Sequence, residues 1–406
     1  MKKRAKSNNL PYKMKLTMGG RLDQWLCRPT IGIPLFLVLM FFVFYLTFSG
    51  IGDWLSTLLE RFFAWVLEAM YTSLVKGGAS EMLCRFLILG VFRGVASVLA
   101  FLPQTAILFF WIAFLDGSGY MARAVLVMDY ALRPFGLSGR AFIPFLIGFG
   151  CNVPAVISAA ELEQKEKKVV TQALPFIPCN ARLPVFTMIV SVFFENQRAH
   201  IAFFVYMIGI GTAILSSLFF FGRSSPAPLK ENFPPLRFPK ISLILSEVKI
   251  KSKEYLIRAG TVVFLSCLAV DFLGTFTPQL KFSSTGEDSI LAQLGSFLAP
   301  LFAPLGFDDG RLIAALAAGF FAKETIVSTI EILLPNGIRS VLNPEQALSF
   351  LVFSFLYTPC ITTVFTIKKV LGASTARRTI LRSFCIAYAL TYLIYTLFRI
   401  FANFPE

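Results

Sequence analysis

GRAFIPFLIGFGCNVPAVIS, residues 139–158, and GRLIAALAAGFFAKETIVST, residues 310–329, are the two stretches on which the fold turns. Each is apolar over most of its length, and each is interrupted where a plain membrane helix would run on. In the first, Gly148, Gly150, Asn152 and Pro154 surround Cys151; in the second, Lys323 and Glu324 sit amid apolar residues. Moving the chain by 171 residues lays one over the other without a gap. Gly139 then meets Gly310, Arg140 meets Arg311, Gly148 meets Gly319, Phe149 meets Phe320 and Val156 meets Val327. Further on, Pro178-Cys179 has its counterpart in Pro359-Cys360, and each is followed within seven residues by Val-Phe-Thr. Two equally broken segments, each followed by a Pro-Cys, point to an internal repeat.

The rest of the chain says where such a repeat lives. Of 406 residues, 56% are hydrophobic, 45 are Phe and only 15% are charged, against about a quarter charged in soluble domains. Apolar runs recur at roughly the 20-residue length that a helix needs to cross a bilayer. Full spans are expected at 30–50, 83–116 (interrupted by Pro103), 169–194, 201–222, 259–279, 347–367 and 383–403. Residues 52–80, with Asp53, Glu60, Arg61 and Glu68 at helical spacing, read as an amphipathic interfacial helix. The expected fold is an all-α polytopic membrane protein, with about seven to eight transmembrane helices and two broken or re-entrant segments.

The net charge of +15 lies between the apolar runs rather than along one stripe. Residues 1–28 hold eight Lys or Arg and one acid; 223–258 hold eight and three; 368–382 hold five and none. Cytoplasmic loops have this bias. With seven spans and both broken segments returning to their own side, all three basic regions fall inside and the C-terminus outside. The broken segments then start from opposite sides, an inverted repeat, which places a transport site at the repeat interface near the midplane. The expected divisions are a basic cytoplasmic segment 1–28, a first membrane half 29–222, a basic Pro-rich linker 223–258 and a second half 259–406. Because the basic residues punctuate spans, no nucleic-acid partner is expected; membrane lipid is.

Irregular backbone at membrane depth is tolerated only where protein or a polar cavity covers it. Cys151, Cys179 and Cys360 each stand at such a break. Thiols with Asn152 as an oxygen donor suit a transition metal; small buried hydrophobes are the other reading of the same residues. Glu324 and Lys323 are costly inside an apolar segment and so are candidates for the pathway, unless they only pair with each other or with Arg182. Gly148, Gly150 and Pro154 shape the first break. Asp116, beside the Gly-Ser-Gly turn at 117–119, is the candidate for admitting an ion. Cys27, Cys84, Cys267 and Cys385 lack that context and are expected to pack, and Met121 and Met128 are expected to face lipid or core rather than a metal. His200, the single His, falls in an external turn, so no His-based metal site is expected. Nothing matches Gly-x-x-x-x-Gly-Lys-Ser/Thr, Gly-x-Ser-x-Gly or His-Glu-x-x-His, and no enzyme activity or resident cofactor is expected.

At these motifs the chain resembles the FeoB family of ferrous iron transport proteins. The resembling stretches are RLDQWLCRPTIGIPLFLVLMFFVF (21–44), VASVLAFLPQTAILFF (95–110), LDGSGYMARAVLVMD (115–129), GLSGRAFIPFLIGFGCNVPAV (136–156), PCNARLPVF (178–186), AKETIVST (322–329) and LYTPCITTVF (356–365). The resemblance implies uptake of Fe²⁺ as transported substrate across the bacterial inner membrane. It also implies two Gate regions, shared at fold level with nucleoside transporters, and gate cysteines at Cys151, Cys179 and Cys360. Family members normally carry a cytosolic GTPase domain ahead of the segment that begins here at Arg21. The expectation is therefore a GTPase supplied as a separate chain and a small accessory Feo-type protein, with homo-oligomers possible. Where the family usually reads Arg-Thr-Leu-Glu after the first gate, this chain has Ala159-Ala160-Glu161-Leu162-Glu163. A Gate-fold transporter of a nucleoside or another divalent metal, and a non-transporting membrane scaffold, are the competing readings.

Overall fold

The computed structural model describes residues 26–78, 92–100, 102–221, 235–279, 288–334 and 336–402. Most of the N-terminal basic segment, Cys84 and most of the proline-rich stretch 224–240 lie outside the described residues. Every regular element described is helical. Helix α1 (Pro29–Phe48) starts on a proline, whose missing N–H costs nothing in a first turn. Helix α2 (Ile51–Lys76) carries the charges expected of the amphipathic segment. Helices α3 (Arg93–Ala100) and α4 (Leu102–Gly117) follow the apolar run, with Pro103 in the first turn of α4.

The first repeat comprises α5 (Tyr120–Leu132), the half-helices α6 (Phe142–Gly150) and α7 (Asn152–Ala159), then α8 (Gln164–Ala173), α9 (Leu183–Phe193) and α10 (Arg198–Phe221). Next, α11 (Ile241–Glu254) runs through a π-helical turn, Tyr255–Gly260, into α12 (Thr261–Thr275). The second repeat is α13 (Ile290–Leu298), α14 (Gly310–Phe321), α15 (Thr325–Leu333), α16 (Pro344–Leu356), α17 (Ile361–Leu371) and α18 (Ala373–Ala402). Helices α6 and α7 thus correspond to α14 and α15, α8 to α16, α9 to α17, and α10 to α18. The packing is reciprocal: α7 lies on α17, and α15 lies on α9.

Six stretches among the described residues are long and apolar enough to cross a membrane, and Gly139–Gly150, Ile290–Leu301 and Gly310–Phe321 are shorter apolar helices. The chain is a multi-pass membrane protein. Two expected spans differ from plain helices. The run at 169–194 bends through Pro178-Cys179 between α8 and α9, and the run at 347–367 opens at Tyr357–Cys360 between α16 and α17. The physical reason is the same in both: a proline cannot donate to the helical ladder and pushes its predecessor to extended backbone. Large apolar side chains such as Val38, Phe41, Phe219 and Leu381 point outward, as lipid-facing residues do.

The core fills the space between the repeats. Phe176, Ile189, Phe307, Phe350, Phe353 and Phe355 are all buried in one cluster. Lipid tails are as apolar as this core, so tight packing, small residues and hydrogen bonds hold the helices together rather than water exclusion. Arg382 of α18 donates to Gln172 Oε1 of α8 at 2.5 Å and to the Ser216 carbonyl of α10 at 2.9 Å, tying the last helix to the first repeat.

Candidate functional site between the broken helices

Four breaks converge between the repeats. Cys151 is extended (φ −153°, ψ 131°) between α6 and α7. Its counterpart Ala322 is extended (φ −143°, ψ 128°) between α14 and α15. Cys179 (φ −90°, ψ 161°) and Cys360 (φ −61°, ψ 155°) are extended ahead of α9 and α17. Cys151, Cys179 and Cys360 are half-buried and lie within electrostatic reach of one another and of Glu324. Cys360 Sγ is 3.1 Å from Thr363 Oγ1. The three thiols thus fall within electrostatic range of one another. Among the described residues, no three His, Cys, Asp or Glu side chains close on one point as a metal cage would.

The glycines give the breaks their room. A Cβ on Gly148 would stand 3.1 Å from Leu174, and 3.4 Å from both Asn152 Oδ1 and Ile177. On the equivalent Gly319 it would run into Ile326 and the Tyr357 hydroxyl. A Cβ on Gly150 would meet the end of the Leu108 side chain at less than contact distance. Asn152 is buried, and its Oδ1 has no hydrogen-bond partner.

The charged residues are placed with equal care. Lys323 is 2% exposed, donates from Nζ to the Thr358 carbonyl at 2.8 Å and stands 3.2 Å from the centroid of the Tyr357 ring. Among the described residues Glu324 forms a salt bridge with neither Lys323 nor Arg182, so the bland pairing weighed from the sequence does not occur. Glu324 is half-buried just ahead of α15. Arg182 is also 2% exposed; it donates to the Pro175 carbonyl at 2.9 Å and to the Phe355 carbonyl. One guanidinium thus satisfies carbonyls at the C-terminal ends of equivalent segments from both repeats, where helix dipoles are negative.

A cavity of about 380 Å³ leads toward this cluster. Asp116, Glu161, Glu247 and Glu254 line it with Lys251, and Val153 and Pro154 of the first break form part of its wall. Lys251 pairs with Glu247 at 2.5 Å, leaving the lining with a net negative charge. Asp116, at the end of α4, is exposed here. Tyr255 lines the same cavity and reaches the thiols electrostatically, which joins the vestibule to the breaks.

Sequence reasoning passed over Tyr357, Thr358, Tyr255 and Gln104, which accepts from Asn180 Nδ2 at 2.9 Å. Pro103-Gln104 and Thr358-Pro359 carried a signal, a polar residue beside a proline in an apolar run. Tyr255 carried none, because its role depends on a π-helical turn. Other expectations divide. Met121 and Met128 are buried, as is Cys27, while Cys385 faces outward from α18 and is not packed within the chain. Asp129 accepts from the Gly139 backbone at 2.9 Å and from Arg133, and so anchors the start of the first gate.

Comparison with known proteins agrees with this architecture. The Gate family, described as nucleoside recognition, matches residues 98–193 and 256–374. The Fe(2+) transporter FeoB of Staphylococcus aureus is 33% identical over 404 residues, covering 96% of this chain and 61% of that protein. The Fe(2+) transporter FeoB of Methanocaldococcus jannaschii is 30% identical over 401 residues, covering 94% of this chain and 59% of that protein. A protein of Porphyromonas gingivalis named a fusion of Fe(2+) transport protein A with Fe(2+) transporter FeoB is 29% identical over 444 residues, covering 95% of this chain and 52% of that protein. The chain thus spans somewhat over half the length of these relatives. No solved structure matches significantly.

Proposed function

Since the chain belongs to the Gate family, in the branch formed by the membrane region of FeoB proteins, we propose that it is a permease that carries Fe²⁺ across the bacterial inner membrane. The single observation that carries this reading is the placing of Cys151, Cys179 and Cys360 at three helix breaks, within electrostatic reach of one another. Thiol donors, supplemented by Asn152 and Glu324, favour a borderline-soft transition metal over Mg²⁺ or Ca²⁺, which prefer all-oxygen shells. A nucleoside would call instead for paired hydrogen-bonding groups around a base and ribose.

The acidic cavity at Asp116 serves as the vestibule, raising the local concentration of cations beside the first break. Its lining helix α11 follows the basic linker, so the vestibule opens on the cytoplasmic side, where the N-terminus also lies. Small rigid-body rocking of one repeat on the other draws the thiols onto the ion, and the reverse movement releases it. The chain acts as a permease without a catalytic step, and Fe²⁺ is its cargo rather than a resident cofactor. The Porphyromonas fusion supports a small FeoA-type protein as a partner.

Proteoliposomes holding a metal-sensitive dye test the substrate. Fe²⁺ is expected to enter, with little response to Mg²⁺ or Ca²⁺ and no uptake of uridine. Uridine uptake without metal flux would contradict the proposal.

A further inference from the structure

We propose that Lys323 is a tethered cation. Its ammonium fills, in the second repeat, the position that a divalent ion takes in the first, so the pathway holds one ion site rather than two. This inference rests on the reading of the chain as a metal permease.

Lys323 is the counterpart of Asn152 in the 171-residue repeat. An ammonium removed from water needs strong compensation. Among the described residues Lys323 has no carboxylate partner; it has the Thr358 carbonyl at 2.8 Å and the face of Tyr357 at 3.2 Å. That carbonyl is available because Thr358 lies between α16 and α17, outside the helical hydrogen-bond ladder. Around the ammonium are a carbonyl oxygen and a ring face, with the Cys360 thiol, Cys179 and Glu324 within electrostatic reach. These groups suit a cation, and the protein has supplied its own.

The first repeat has a Pro-Cys in the corresponding place and an uncharged residue, Asn152, at the position of Lys323. Thr358 and Ile177 each precede a Pro-Cys. A Cβ built on Gly148 would lie 3.4 Å from Asn152 Oδ1 and 3.4 Å from Ile177 Cγ2, so the Asn152 oxygen and the Ile177 side chain flank the same small space. That oxygen is buried and accepts from nothing. Arg182, the other buried cation nearby, is committed to the carbonyls of Pro175 and Phe355. The first repeat therefore presents an unpartnered amide oxygen and a thiol, a mixed donor set that suits a first-row divalent metal. Asn is too short and uncharged to close that position as Lys closes its twin.

Co²⁺ titrated into the full chain in detergent micelles reads the number of sites, by equilibrium dialysis and by thiolate-to-metal absorption. The parent chain is expected to bind one ion. Lys323→Asn, which gives the second repeat the residue of the first, is expected to bind two. Lys323→Met removes the charge while keeping the stem over Tyr357; it is expected to bind two as well, and it stands in if the Asn variant fails to fold. Lys323→Arg keeps the charge and stays at one. One ion in the parent and in both uncharged variants would overturn the tethered-cation assignment alone. No ion in the parent would overturn that assignment together with the permease reading beneath it.

Discussion

Cys151 and Ala322, 171 residues apart, share one backbone conformation, φ −153°, ψ 131° against φ −143°, ψ 128°. The two gates are broken alike, yet only one of them carries a thiol at the break. The backbone opening is therefore a property of the repeat, while the chemistry placed there differs between its halves. Replacing Ala322 by Cys would place a fourth thiol at a conformation that already accepts one. The variant is expected to fold normally and to bind thiophilic ions such as Cd²⁺ more tightly in micelles. A loss of folded protein would show that the two breaks are not equivalent.

Arg182 holds the repeats together through the Pro175 and Phe355 carbonyls. Arg182→Met would leave both carbonyls buried without a donor, at about 1–3 kcal/mol for each unsatisfied group. A marked fall in melting temperature in detergent is expected, with Arg182→Lys intermediate because an ammonium lacks the fork that reaches both. A melting temperature unchanged in Arg182→Met would remove the clamp from the account.

The equivalent glycines Gly148 and Gly319 separate in the same assay. A Cβ on Gly319 meets Ile326 and Tyr357 at less than contact distance, whereas one on Gly148 stands 3.1 Å from its nearest neighbour, the flexible end of Leu174. Gly319→Ala is expected to cost roughly 1–3 kcal/mol as an overpacked contact. Gly148→Ala should cost clearly less, and the reverse order would contradict the packing of Tyr357 against the second gate.

Much of this was legible beforehand because the relevant physics is local. A glycine or proline inside an apolar run announces a break. Cys151, Asn152, Cys179 and Cys360 could be named for that reason. What stayed hidden depends on contacts across long sequence distances. That 169–194 and 347–367 are interrupted helices follows from Pro178 and Pro359, but their convergence follows from packing of α7 on α17 and α9 on α15. That Lys323 reaches Thr358 rather than Glu324 could not be read from neighbours in sequence.

The proposed sidedness of the repeat rests on the basic loops. In a Cys385→Ser background, a cysteine at the exposed Gln197 should react with an impermeant thiol reagent from outside the cell. One at the exposed Ser374, between Lys368-Lys369 and Arg377-Arg378, should react only after permeabilisation. The opposite pattern would reverse the orientation while leaving the fold intact.

The central claim is that a metal ion passes between the repeats on shared thiols, and Fe²⁺ uptake by proteoliposomes of four variants tests it most directly. Cys151→Ser and Cys179→Ser should each lose most of the uptake, because oxygen is a poorer donor than thiolate for a borderline-soft ion. If both thiols serve one ion, either loss empties the site, and the double variant should be little worse than either single one. Cys267→Ser, in α12 and away from the breaks, should match the parent. Normal Fe²⁺ uptake by the Cys151→Ser/Cys179→Ser protein, at the level of Cys267→Ser, would contradict the claim.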